Sequence, residues 1–206
     1  MTDLFAVSGI RAFPVKMLRA ESGPVAGIIE EQSQWKWEDK EPVVDEKVLM
    51  RVFRSTDAGR CVDFEIRLTA LVDDLKFAGQ IQTGYSGFNL RMAPIKEKEI
   101  ILSSDFTGPN SVAGVWADYS AKFGEGVSGV AIVQNKTNPL YPQNWRKYPE
   151  LNFFQPLYPD SVLTPMPKGQ MIVLKYRLWI HRDKATTARL DDIFSSYNFV
   201  PAGLGV

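Results

Sequence analysis

One cysteine and one histidine occur among 206 residues, and that scarcity removes whole classes of chemistry. No metal centre built on two or more imidazoles can form within the chain, nor can a zinc-type cysteine cluster. A lone cysteine has no partner for an intramolecular disulfide, so folding does not depend on an oxidising compartment. A nucleophilic Cys–His pair would need Cys61 and His181 to meet. Cys61 instead opens an alternating run and reads as a buried structural thiol. Phosphate-cradling glycine loops and dinucleotide fingerprints are also missing, and no cofactor is expected. Asp3, Asp105 and Asp118 could contribute to an oxygen-ligand cation site, but their spacing does not demand one, and no metal is assigned. No apolar run approaches the ~18–20 residues needed to cross a bilayer. The start, Met1-Thr2-Asp3-Leu4-Phe5, is acidic and leads into no apolar signal core. As it stands the sequence predicts a soluble, cytoplasmic chain with no membrane partner. Lys+Arg and Asp+Glu both number 24, so a basic footprint for nucleic acid is lacking.

What is present suits one globular domain over 1–206: 45% hydrophobic and 23% charged residues can build and solvate a core. The densest charge run, from Glu30 to Glu41, mixes both signs and reads as a solvated strand face and turn. Most segments repeat with period two. Val62, Phe64, Ile66, Leu68 and Ala70 alternate with Asp63, Glu65, Arg67 and Thr69, the pattern of a strand with one core face and one wet face. Val48–Ser55 and the turn at Thr56–Gly59 precede it as a hairpin. Ile28–Glu38 reads as an earlier strand, with Trp35 and Trp37 on one face. Leu75–Thr83, Phe88–Met92, Ile95–Ser103, Val112–Tyr119 and Val127–Gln134 follow as further strands. Met171–Arg182 is the longest, with Ile172, Leu174, Tyr176, Leu178 and Ile180 on one side and Val173, Lys175, Arg177, Trp179 and His181 on the other. One helix is expected over 185–197, from the spacing of Leu190, Ile193, Phe194 and Tyr197, capped by Asp183 or Thr186. A loose tail follows over 201–206. The predicted fold is mainly β: an antiparallel β-sandwich, jelly-roll or supersandwich-like, with one C-terminal helix. Between Asn138 and Pro159, prolines and aromatics crowd together. Proline argues against a central strand here, so a long functional or edge-covering loop is expected.

With metals and nucleophile pairs set aside, carboxylates, arginines and aromatics remain. Asp118, at a strand end beside aromatics, is a candidate acid or base; the alternative is an aspartate tied to turn amides. Arg91 and Arg177 are candidate substrate anchors, or cross-strand salt-bridge partners. His181 is a candidate general base, or a satisfied strand histidine. Tyr85, Trp116, Tyr119, Tyr141 and Trp145 are candidates for substrate contact. Tyr141, Trp145 and Tyr148 could form a platform on which the C–H face of a sugar stacks, or they could cover a sheet edge.

Several stretches together, and in order, resemble a known family: Cys61–Leu71, Gly84-Tyr85-Ser86-Gly87-Phe88-Asn89-Leu90-Arg91-Met92, Trp116-Ala117-Asp118-Tyr119-Ser120, Gly129–Ile132 followed by Asn138-Pro139-Leu140-Tyr141-Pro142 and Trp145, and Leu174–Arg182. They look like a bacterial family of unknown function that carries the label "methane oxygenase PmoA". The resemblance covers about residues 3–183. It implies a soluble β-sandwich and, through association with polysaccharide-degrading genes, a carbohydrate-related role. Family members usually carry an additional N-terminal stretch with paired histidines and a tryptophan. Many also have a histidine at the position of Asn135 and another at that of Arg146. The chain is thus expected to be a shortened member, with unpaired sheet edges that could join two copies. Three readings stay open. One is a carbohydrate-active hydrolase, lyase or epimerase with converging carboxylates. Another is a non-catalytic carbohydrate-binding or interaction module. The third is a truncated, inactive homologue that dimerises.

Overall fold

The computed structural model describes residues 9–80, 84–103 and 112–199. Asp3, Asp105 and the expected tail over 201–206 lie outside the described residues, as does part of the strand expected over Leu75–Thr83.

Among the described residues, fourteen strands and one α-helix follow in chain order: β1 (Ile10–Ser22), β2 (Ala26–Trp37), β3 (Glu41–Phe53), β4 (Gly59–Ala70), β5 (Lys76–Phe77), β6 (Leu90–Arg91), β7 (Lys98–Leu102), β8 (Val112–Ala113), β9 (Trp116–Phe123), β10 (Gly126–Gln134), β11 (Asn144–Tyr148), β12 (Phe153–Pro156), β13 (Thr164–Pro165), β14 (Met171–Arg182) and α1 (Thr187–Tyr197). A large antiparallel sheet runs β1-β2-β3-β4-β14-β10-β9-β7, a four-stranded sheet runs β6-β12-β11-β8, and β13 pairs with β5. Alternation decides which side chains meet. The inner face of the large sheet presents Ile172, Leu174, Tyr176 and Leu178 of β14 beside Val130 and Ile132 of β10 and Tyr119 of β9. These pack against Trp145 and Phe154 of the small sheet, and Phe88 stacks on Tyr176 with ring centroids 4.6 Å apart. Each large apolar side chain sealed here contributes ~1.5–3 kcal/mol.

The opposite face of the large sheet is covered by α1. Leu190, with Ile193, Phe194 and Tyr197 beside it, packs on Trp116, Ala131, Val133 and Trp179. The helix begins two residues later than expected. Thr186 caps it, its Oγ1 accepting from the Arg189 amide at 3.3 Å.

The structure corrects two expectations. The proline-rich stretch holds β11 and β12, the two interior strands of the small sheet. Its prolines sit in the connections and at the strand end, so the ladder keeps its donors. Trp35 and Trp37 share one face of β2, their register with Ala12 and Ile10 of β1 being unbroken; Trp35 packs toward the core, while Trp37 at the strand end is exposed. The segment before β2, for which no strand was anticipated, forms the 13-residue edge strand β1. Pro14 and two register shifts interrupt that edge, features that discourage sheet-to-sheet pairing.

Candidate functional site

The residues singled out from sequence fall into three separate places. Asp118 and His181 come together on the helix-side face of the large sheet. His181 Nε2 lies 2.8 Å from Asp118 Oδ1, and both side chains are sealed, at 0% and 2% exposure. Ser120 Oγ donates to Asp118 Oδ2 at 2.8 Å. His181 Nδ1 lies 3.0 Å from the Asp183 carbonyl, which can only accept, so Nδ1 carries a proton. Burial pushes His181 down, but the Asp118 hydrogen bond and charge, with the Arg182 and Asp183 carbonyls, lift it above its ordinary value overall. This is not a nucleophile relay. The serine bonds the carboxylate rather than the imidazole, and both ring nitrogens are occupied. The arrangement ties β9 to β14 across β10, and Gly129 of β10 leaves the gap the ring fills. A Cβ there would meet His181 Cε1 and Nε2 at 2.6 Å.

Arg177 lies on the same face. Its Nε and a terminal nitrogen donate to Asp63 Oδ1 and Oδ2 at 2.6 and 2.9 Å, from a directly opposed register position on β4. The Tyr197 ring of α1 lies 4.6 Å from the guanidinium carbon. Asn135, beside Tyr197, ends this cluster. Cys61 is half-buried opposite Trp179, and burial pushes its thiol up, keeping it protonated. Trp116 is 1% exposed and donates from Nε1 to Asp191 of α1 at 2.8 Å, anchoring the helix.

Tyr119 and Trp145 belong to the inter-sheet core. Tyr119 donates to Asn152 Oδ1 at 3.3 Å, and Trp145, 1% exposed, donates to the Gly114 carbonyl at 3.0 Å. Tyr141 is half-buried in the connection from β10 to β11. Arg91, Asp118, Trp145 and Arg177 therefore do not converge on one cleft.

Tyr85 and Arg91 both lie against Phe153 on the outer face of the small sheet. Register places Arg91, Phe153 and Tyr148 side by side across β6, β12 and β11, so all three point outward. The Arg91 guanidinium carbon stands 5.4 Å from the Phe153 ring centroid. Gln155, fully buried on β12, receives the Ser86 amide at 3.1 Å and donates to the Gly84 carbonyl at 2.5 Å. The residue between them is Tyr85. Its ring lies 5.2 Å from Tyr148 and 5.4 Å from Phe153. Phe153 is the buried floor, and the two tyrosines are half-buried. Arg146 shares this face with Tyr148, two residues along β11, and lies against Gly84 (φ +70°). A polar recess of about 50 Å³ adjoins it, lined by Ser86, Asp160 and Ser161 among others. Phe153 and Arg146 were missed as site residues. The alternation Trp145/Lys147 inward, Arg146/Tyr148 outward was readable, but proline content had marked the stretch as loop.

A further polar group lies on the inner face of the β2–β3 extension. Glu46 accepts from Trp35 Nε1 at 3.2 Å. Burial pushes its carboxyl up, the Trp35 bond lowers it and the charge of Glu31 raises it further. Among the described residues no group of three or more His, Cys, Asp or Glu is placed to hold a metal ion, and no helix is long and apolar enough to cross a membrane.

These features define a two-sheet antiparallel β-sandwich with a helix on one outer face and an aromatic–arginine cluster on the other. A family model matches residues 12–195, and the chain belongs to that family, described as a family of unknown function, DUF6807. No curated protein and no solved structure matches the chain.

Proposed function

We propose that the chain is a carbohydrate-binding module whose ligand lies over Tyr85 and Tyr148 on the outer face of the small sheet. The observation that carries this reading is the three-ring cluster of Tyr85, Tyr148 and Phe153, oriented by the buried Gln155 amide. Stacked sugars need aromatic faces held rigidly, with polar groups at the rim for the hydroxyls. Arg91 and Arg146 flank the rings on this face. The carboxylates Asp118 and Asp63 are already committed to His181 and Arg177, which favours binding over acid–base turnover at those positions. The test is a thermal-shift series against mono- and oligosaccharides. A ligand at a hundredfold its dissociation constant adds ~2.7 kcal/mol. That shift is expected to vanish in Tyr148→Ala; a shift that survives in both Tyr148→Ala and Tyr85→Ala rules this face out.

A second reading, a carbohydrate-active hydrolase, lyase or epimerase, draws on one observation: Glu46 holds its proton above the ordinary carboxyl range beside Trp35, as a general acid requires. Turnover of an oligosaccharide that disappears in Glu46→Gln is its expected signature.

A further inference from the structure

We infer that the open end of the sandwich binds a medium-chain fatty acid, with its hydrocarbon tail in a groove between the two sheets and its carboxylate at Arg60 and Arg182. This site is separate from the saccharide face. On β6, Arg91 belongs to the outer face and its neighbour Leu90 to the groove.

The groove has a volume of about 370 Å³ and is lined by Leu90, Met92, Phe123, Val130, Leu178 and Ile180. Among the described residues Ser128 is the one polar side chain in its lining. That volume lies toward the small end of ligand sites, and such a lining offers a sugar hydroxyl almost nothing to bond. Val130 and Leu178 are buried, whereas Ile180, the next residue of β14 on the same face, is 47% exposed. The inner face is thus sealed as far as Leu178 and open beyond it. A hydrocarbon tail laid there removes apolar surface from water.

Strand register supplies the charge around the opening. One row across the large sheet reads Arg60, Ile180, Val130 and Tyr119. The next row outward reads Arg182, Ser128, Ala121 and Lys98. Directly paired residues share a face, so Arg60, Arg182 and Lys98 stand on the groove face, and none of these positions carries a carboxylate. Lys98 Nζ donates to the Ile95 carbonyl at 3.1 Å, and Arg60 donates to the Ser55 hydroxyl at 3.3 Å. Both arginines are exposed, and among the described residues neither belongs to an ion pair. On the opposite face Arg67 and Arg177 are paired, with Glu65 and Asp63. An uncharged groove edged by cations alone fits an anionic amphiphile. Burying the charge would be costly, so the tail enters and the carboxylate stays at the edge, where arginine donors match it.

The experiment is calorimetric titration of the full chain, below micelle-forming concentrations. The probes are straight-chain carboxylates of increasing length, their methyl esters, and alkyl trimethylammonium ions of matching length. Carboxylate affinity is expected to rise about fourfold per methylene until the groove is full, and to exceed that of the ester about tenfold. Replacing both Arg60→Gln and Arg182→Gln is expected to bring the carboxylate down to the ester. Ile180→Glu is expected to abolish binding. Met171→Glu, at an exposed position on the other face of the same strand, is expected to leave it unchanged. Circular dichroism checks that each variant keeps the fold. An ester bound as tightly as its acid, or a preferred ammonium ion, overturns the carboxylate assignment. Binding that survives Ile180→Glu overturns the groove. A lysophospholipid bound more tightly than the acid of the same tail gives the groove to a membrane lipid instead, and a dimer dissociated by Ile180→Glu gives it to a second copy. No binding of any tail overturns the inference outright.

Discussion

His181 of β14 and Asp118 of β9 lie 2.8 Å apart across the intervening strand β10, with neither side chain open to solvent. Removing one member leaves the other buried and uncompensated. His181→Ala is expected to cost ~3–5 kcal/mol, measured by denaturant unfolding. Replacing both together should cost less than the sum of the two single changes.

The same pair gives a pH signature. His181 holds its proton more tightly folded than unfolded, so the stability it contributes is complete below the unfolded value of about 6.5. That contribution fades as pH rises through the raised folded value. Because the chain has a single histidine, proton NMR of the imidazole reads the titration directly. An ordinary or lowered midpoint would contradict the hydrogen bonding described here.

Gly129 is where the backbone of β10 passes the imidazole. Gly129→Ala brings a methyl group to 2.6 Å from the ring and 2.5 Å from the Tyr119 carbonyl, and backbone cannot yield cheaply. A loss of ~1–3 kcal/mol is expected. Gly126→Ala, with nothing within 4 Å of the added carbon, serves as the neutral comparison in thermal melts.

Trp145 and Tyr148 sit three residues apart but on opposite faces of β11. Trp145→Ala removes a sealed core side chain and its bond to Gly114. It should lower stability by ~3–5 kcal/mol with or without ligand. Tyr148→Ala is expected to act mainly on saccharide binding, so melts and titrations together separate the two.

Glu46 is a carboxyl that favours its proton in the folded state. Folding stability should therefore fall as pH rises from the unfolded carboxyl range through the raised folded value. Glu46→Gln, which keeps an oxygen for Trp35 Nε1, is expected to remove that slope and to match or exceed the parent at neutral pH. A steeper loss in the variant than in the parent would refute the assignment.

Strand β14 was legible because twelve residues alternate without a break, and its two predicted faces are the two faces observed. The helix was legible from the spacing of Leu190, Ile193, Phe194 and Tyr197. The small sheet was not. In 138–159 the strands are only four and five residues long, and the prolines around them outweigh so brief an alternation in the local signal. Strand β1 escaped for another reason: most of its residues are exposed on both faces, so burial imposed no alternation.

The linear order of residues by itself determined the mainly β character, the in–out assignment of β4 and β14 and the exclusion of any site built on two of the chain's own histidines or cysteines, because period-two patterning and composition are local properties. Only the tertiary structure decided that Asp118 belongs to His181, that Arg177 belongs to Asp63, and that Tyr85 joins Tyr148 and Phe153 beside Arg91. Asp118 and His181 lie 63 positions apart, as do Tyr85 and Tyr148, and Asp63 and Arg177 lie 114 apart. Their meeting is set by strand register and sheet order, which emerge only when the chain closes on itself to bury its apolar faces.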